Sequence, residues 1–533
     1  MVMNKIKIDL ERIVSDIDRN IFGGYIEHGA GDNTFDYLDL GDSPHADKNN
    51  LRKDVLAVLD RMNLPNIRFP GGNFVSGYRW MDGIGPRDQR PARWSAARHC
   101  VIENTYGTNE FMRFCRATGI EPYFCVNCGD GDMIEAADWV EYCNGTGDTA
   151  LVKLRRAHGF AEPHNIKYWG IGNEVDSPGQ IGMKTAQEYA REYTEFSKVM
   201  KRTDPNIKLV ASAICSWEDH PLGPEFLYRP TEWVERAQLM LEQAGDRIDY
   251  MAIHRYADMA PEDTYETYMA FGADFDDRIT AYEGIIRAVS LERGIKHQVA
   301  IAVDEWAAAH RPKPPRRDTP VRIARDEYGV MRIPAEEAAM SHRPGGMTIN
   351  LEDALVTAQY LNIFIRHAYS VRMANLTPMP TFIRKNIANP DCSVPLQAIY
   401  YPFELYSRTC GQLALDVFWS GDTFSGTYKN RAYNGIRTLD VSATLDQARK
   451  QLVVYVINLS KDKAMETTID LTGGELAGNV KVSVINGPDT KAENTLEKPN
   501  QVKVQDAVIK AAGKSFTYSF EPHSVTALVC AVR

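Results

Sequence analysis

Eight short apolar runs, separated by longer stretches of helical periodicity, constrain this chain more than any other feature. They fall at residues 22–27, 66–69, 122–126, 168–172, 208–212, 249–254, 299–304 and 371–375. Each is rich in β-branched or aromatic residues and nearly continuous in apolar character, as strands buried on both faces are. Between them, residues 48–62 place Leu51, Val55, Val58 and Leu59 at helical spacing. Further helices are expected at 108–117, 133–142, 276–292 and 351–367. Thr185 and Glu188 form a capping-box pattern that starts a helix running to about Lys201, before Asp204-Pro205. Strand-then-helix units repeated in this way predict an α/β chain, a (β/α)8 TIM barrel. A doubly wound sheet is the structural alternative, but no glycine-rich phosphate fingerprint follows the first strand.

The chain has 533 residues, more than the roughly 250 a barrel needs. Beyond about residue 385 the pattern changes to short segments of period-two alternation, at 438–444, 451–458, 466–471, 480–485, 501–508 and 515–520. Turn residues such as Gly473-Gly474 and Asn486-Gly487-Pro488 separate them, which predicts an all-β sandwich, jelly-roll-like, as a second domain. The expected division is residues 1–18 as an N-terminal strand segment pairing with the sandwich, 19–385 as the barrel, and 386–533 as the sandwich. Residues 311–343 form an insertion after the seventh strand, with eight basic and five acidic residues, and read as a solvated loop on the C-terminal face of the barrel.

Charge and cysteine usage narrow the function classes. A net charge of −10 argues against nucleic acid as a partner. There is no apolar run of membrane-spanning length and no apolar leader, so no membrane contact and a cytoplasmic location are expected. Nine irregularly spaced cysteines fit free thiols in a reducing compartment. Cys125 and Cys128 form one C-x-x-C without a second pair at zinc spacing, so core packing is expected of them and neither a metal nor a cofactor is.

Chemistry in such a barrel sits at the C-terminal strand ends. Glu174 follows the fourth strand and Glu305 ends the seventh, and these strands face each other across the barrel mouth. Most of the 71 acidic residues are solvated surface charges. Two at facing strand ends in apolar surroundings form a pair suited to glycosidic cleavage, where one carboxyl protonates the leaving oxygen and the other attacks the anomeric carbon or activates water. Glu27, His28, Arg68, Asn73, Asn127, Asn173, His254 and Tyr256 also fall at strand ends. Such a ring of donors and acceptors suits a polar ligand like a sugar.

The residues Arg68 to Tyr78 (RFPGGNFVSGY), Asp82-Gly83-x-Gly85-Pro86, Gly107 to Phe111, Gly172-Asn173-Glu174, Gln180 to Gly182 and Asp304-Glu305-Trp306 resemble glycoside hydrolase family 51, the α-L-arabinofuranosidases. The resemblance implies Glu174 as acid/base and Glu305 as nucleophile of a retaining exo-hydrolase, with an arabinose-containing oligosaccharide or other furanoside as substrate. It implies that Glu27, Asn73 and Asn173 bind sugar hydroxyls, that His254 and Tyr256 line the pocket, that Arg68 holds the nucleophile, and that Trp306 lies at the sugar. It also implies a metal-free homo-oligomer, commonly a hexamer. Three departures fall near the substrate: the run from Gly29 to Thr34, Ala307-Ala308 after the tryptophan, and Pro378 where the family carries a glutamine. The alternatives are another retaining specificity (β-glucosidase, β-glucanase or galactofuranosidase) and a non-catalytic sugar-binding relative.

Overall fold

The structure, a computed structural model, describes residues 4–27, 46–97, 100–177, 179–215, 233–257, 259, 263–308, 324–325, 331–332, 349–377, 396–429, 431–495 and 497–533. His28, the run from Gly29 to Thr34, Pro378 and most of the 311–343 insertion lie outside these residues.

Eight parallel strands close into a barrel, in chain order Gly23–Tyr25, Asn66–Phe69, Glu121–Val126, Tyr168–Ile171, Lys208–Ile214, Tyr250–Ala257, Ala300–Ala308 and Val371–Leu376. Each coincides with one of the expected runs. Tyr123, Tyr168, Val210, Ala252, Ala302 and Met373 fill part of the interior with packed side chains. The sixth and seventh strands extend beyond their expected ends, through Ala257 and Ala308. A register shift between Ala302 and Glu305 accompanies the extension, a bulge that re-aims the side chains that follow it.

The helices coat the barrel. Ala186–Thr203 starts on the expected capping box: the Thr185 hydroxyl accepts from the Glu188 amide at 3.3 Å, and the Glu188 carboxylate accepts from the Thr185 amide at 2.8 Å. The helix Leu351–Arg366 is buried along nearly its whole length because it lies between the barrel and the second sheet. Asn362 joins the two: its Oδ1 accepts from Tyr406 at 2.9 Å and from Ser442 at 2.6 Å. The helix Tyr400–Thr409 lies beyond residue 385, where the sequence pattern changes. It nonetheless packs on the barrel, with the Phe403 ring 6.1 Å from Phe22.

The second sheet has nine strands in one continuous hydrogen-bonded order. Asn4–Asp16 lies inside it, antiparallel to Leu413–Ser420 and parallel to Met465–Thr472, which makes the sheet mixed. Ile6, Leu415, Val441, Val454, Ile469, Val482 and Leu528 form its apolar core. A separate hairpin, Thr423–Tyr428 with Arg431–Arg437, leaves this sheet and reaches back over the barrel.

A half-buried charge cluster at the end of the helix Leu351–Arg366 makes stability depend on pH. His367 lies 2.9 Å from Glu283 and 3.2 Å from Asp276. Burial alone would lower its pKa, but hydrogen bonds to Asp276 and Glu283 and their charges outweigh burial and raise it to about 9. Because the folded value exceeds the unfolded one, the stabilisation is fully present below about pH 6.5 and is lost as pH rises through about 9. His367→Gln should therefore cost about 3 kcal/mol at pH 6 and far less at pH 9.5. Urea unfolding at both pH values reads the difference; equal losses at both would contradict it.

Candidate active site

The two glutamates are presented in different ways. Beyond the strand Tyr168–Ile171, Gly172 adopts φ +78° and Glu174 adopts φ +46°. The left-handed region costs a non-glycine residue roughly 1–2 kcal/mol and is found where local structure enforces it. Here the Ser177 amide donates to the Glu174 carbonyl at 2.8 Å. The Glu174 side chain is thus turned off the strand end into the barrel mouth and keeps 21% exposure.

Glu305 is held from inside the seventh strand. Its Oε1 accepts from Arg68 Nη1 at 2.6 Å, and its Oε2 accepts from the Tyr256 hydroxyl at 2.5 Å. Arg68 is fully buried and donates through Nη2 to Asn173 at 2.7 Å, while its Nε lies 3.4 Å from Asp304. Adjacent residues of a regular strand face opposite sides, so the bulge is what lets both Asp304 and Glu305 approach one guanidinium. Tyr123 donates to Asp304 at 2.7 Å from the other side. Gly72 is required at its position, because a Cβ there would lie 2.8 Å from Glu305 Oε1 and 2.7 Å from the Tyr25 hydroxyl.

His254 bridges the glutamates. Its Nδ1 lies 2.9 Å from Glu174 and 3.7 Å from Glu305, and its Nε2 lies 3.2 Å from Asp304. Burial would lower the pKa of the ring, but the surrounding carboxylates of Glu305, Asp304 and Glu174 outweigh it and raise it well above the ordinary value. Burial likewise disfavours ionised Asp304, yet the Arg68 charge and the bonds from His254 and Tyr123 hold its pKa below the ordinary value. Three acidic side chains therefore share Arg68 and His254 as partners. One ligand atom each from Glu174, His254 and Glu305 falls within 4.8 Å of the others, a spacing that would also suit a metal ion. Both Glu305 oxygens are already engaged by Arg68 and Tyr256.

Comparison with known proteins finds relatives along nearly the whole chain. A profile described as the alpha-L-arabinofuranosidase 1 domain matches residues 58–273, and one described as the alpha-L-arabinofuranosidase C-terminal domain matches residues 304–524. The chain is similar to a probable alpha-L-arabinofuranosidase C of Aspergillus clavatus, with 34% identity covering 98% of this chain and 96% of that protein. It is 30% identical to an intracellular exo-alpha-(1→5)-L-arabinofuranosidase 1 of Bacillus subtilis, covering 97% of each. A thermostable family 51 alpha-L-arabinofuranosidase from Thermotoga petrophila superposes with a TM-score of 0.81 at 30% identity, over 99% of both chains. The chain belongs to the α-L-arabinofuranosidases of glycoside hydrolase family 51.

In this arabinofuranosidase Glu174, Glu305, Arg68, Asn173, His254 and Tyr256 form one connected group. Glu27 borders it, accepting from the Gly72 amide at 3.2 Å. Asn73 opens the turn Asn73–Gly77 beside Gly72 and is half-buried. Trp306 corrects the expectation of a sugar contact. It is fully buried on the outer side of the strand, with ring centroids 4.7 Å from Tyr360, 5.4 Å from Phe364 and 6.5 Å from Phe403. Asn127 is committed to backbone and loop partners, donating to Asp130 at 2.7 Å and to the Tyr78 carbonyl at 3.3 Å and accepting from the Gly129 amide at 2.9 Å. Of the three departures, the Ala307-Ala308 pair alone is described: Ala307 is buried and in register with Tyr256. Sequence reasoning does not single out Asp304, Tyr123 or Tyr25. An acidic pair embedded in an apolar strand is the available signal for Asp304.

The C-x-x-C pair is structural. Cys125 donates to the Gly172 carbonyl at 3.1 Å, and burial pushes its thiol up to about 11. Burial also pushes the Cys128 thiol up. The seven cysteines whose side chains are described are free thiols.

Proposed function

We propose that this arabinofuranosidase removes terminal non-reducing α-L-arabinofuranosyl residues from oligosaccharides by double displacement, with Glu305 as nucleophile and Glu174 as acid/base. One observation carries the reading. Glu174 and Glu305 present oxygens within 4.8 Å of each other, and Glu305 alone is clamped through both oxygens. A separation of about 5–5.5 Å belongs to retaining enzymes, whereas inverting ones need about 6.5–9.5 Å to admit a water.

In the first step a Glu305 oxygen bonds to the anomeric carbon as the glycosidic C–O bond breaks, and the Glu174 proton goes to the leaving oxygen. In the second step Glu174 takes a proton from water. The water oxygen bonds to the anomeric carbon, the ester to Glu305 breaks, and arabinose leaves with its starting configuration. Arg68 and Tyr256 aim Glu305 and stabilise it as it becomes the leaving group again. His254, with Nδ1 2.9 Å from Glu174, fixes that carboxyl toward the cleaved bond. Glu27, Asn73 and Asn173 supply partners for the furanose hydroxyls; the Asn173 amide nitrogen is buried and without a protein acceptor, which suits a sugar oxygen. The Bacillus subtilis relative, named as an intracellular exo-α-(1→5) enzyme, favours a cytoplasmic exo-acting enzyme, and the free thiols of the described cysteines fit that compartment. No described helix is long and apolar enough to cross a membrane.

Proton NMR of the first-formed sugar from an aryl α-L-arabinofuranoside tests the stereochemistry. The α anomer should appear first and mutarotate later. The β anomer first would overturn the mechanism.

A further inference from the structure

We propose that Tyr433, carried on the hairpin of the second domain, is a positioning residue for the catalytic strand, acting through Asp274 and Arg255. The inference rests on Glu174 as acid/base and Glu305 as nucleophile.

On the sixth strand, His254 and Tyr256 face the barrel mouth and contact the two glutamates. Arg255, between them, must face the opposite way, toward the helices. Its guanidinium is buried there, with Nη2 donating to Asp274 Oδ2 at 2.5 Å. A buried arginine with a planar fork holds its own backbone wherever its carboxylate partner is held. Asp274 is itself 1% exposed and accepts from Arg278 at 2.9 Å. Its other oxygen, Oδ1, accepts from the Tyr433 hydroxyl at 2.6 Å.

Tyr433 does not belong to the barrel. It lies on the second strand of the hairpin Thr423–Tyr428 and Arg431–Arg437, which leaves the second sheet between Leu413–Ser420 and Leu439–Asp446. The first strand of that hairpin brings Tyr428, whose ring lies 5.6 Å from the Arg255 guanidinium and 5.4 Å from Phe271. The hairpin seats closely, since a Cβ at Gly426 would lie 2.7 Å from the Glu266 carbonyl. Two tyrosines of one hairpin therefore converge on one buried ion pair, one residue from each of the side chains that orient the glutamates. Neither tyrosine is needed to close the barrel. Their shared target gives the second domain a direct role in active-site geometry.

Displacement of reacting groups by about 1 Å can cost roughly a hundredfold in rate, while sugar contacts made equally in the ground state are unaffected. Tyr433→Phe removes one hydroxyl and keeps the ring. In the full-length enzyme it should lower kcat by about tenfold or more, with KM within about twofold. Arg255→Lys, which keeps the charge but loses the fork, should do the same, and the double variant should be no slower than Arg255→Lys alone because both act through one chain. Activities are read well below the melting transition and scaled to folded fraction. A kcat within twofold of wild type for both single variants, or a loss that folded fraction accounts for, overturns the proposal; if Tyr433→Phe does not fold, Arg255→Lys decides. Glu305→Gln is run alongside. If it is as active as wild type, the reading of the site has failed instead.

Discussion

Glu305→Gln lowers kcat/KM on an aryl α-L-arabinofuranoside by roughly four to six orders of magnitude, the scale on which removal of a covalent nucleophile acts. The substitution is nearly isosteric, so the fold should be unchanged. What is lost is the negative oxygen that bonds to the anomeric carbon. Gln can keep both neighbours, its carbonyl oxygen accepting from Arg68 and its amide nitrogen donating to the Tyr256 oxygen, so the loss reads the missing charge rather than a broken site. Each factor of ten is about 1.4 kcal/mol of barrier, so the loss corresponds to about 5–8 kcal/mol. A variant within a hundredfold of wild type would remove Glu305 from the nucleophile's role.

Glu174→Ala separates the two halves of the reaction by leaving group. A substrate with a poor leaving group needs the proton, and its turnover should fall by about 10²–10⁴-fold, the usual contribution of a positioned acid. An activated nitrophenolate departs without help, so the first step should be far less affected. The second step still lacks its base, so the glycosyl–enzyme should accumulate after a burst. Azide needs no base and fits the space left by the carboxylate. It should restore turnover and yield an arabinosyl azide of the same anomeric configuration as the substrate. An azide of inverted configuration would mean direct attack, and would make Glu174 rather than Glu305 the nucleophile.

The barrel is legible in the sequence because buried parallel strands are continuous apolar runs, and all eight stand where those runs fall. Ser515–Phe520 is readable from its alternation, whereas Gln451–Asn458 proves to be a continuous apolar run buried at all but its first residue. The helix Tyr400–Thr409 is not, since its sequence YYPFELYSRT is aromatic and carries Pro402 in its first turn, where proline is tolerated. The hairpin is hidden too: Gly426, Gly435 and few aliphatic residues give Thr423–Tyr428 and Arg431–Arg437 weak strand character, although Tyr428, Tyr433 and Ile436 are buried. Their burial is supplied by the barrel, which local sequence does not register.

The site is legible where residue type and strand end coincide, as at Arg68, Glu174, His254 and Glu305. The expectation fails at Trp306 for a geometric reason. A bulge exchanges the faces of all residues after it, so Glu305 turns in beside Asp304 while Trp306 goes out among Tyr360, Phe364 and Phe403. Nothing in the order Asp-Glu-Trp reveals the extra residue. The left-handed backbone at Glu174 is equally silent, because glutamate is not a residue chosen for that region.

The measurement that bears most directly on the double displacement is a peptide map of the intermediate that accumulates in Glu174→Ala with an activated aryl arabinofuranoside. After acid quench and digestion, the peptide containing Asp304, Glu305 and Trp306 should carry one added pentosyl group, and fragmentation should place it on Glu305. The sugar on any other residue, or a burst with no covalent adduct, would contradict Glu305 as the nucleophile.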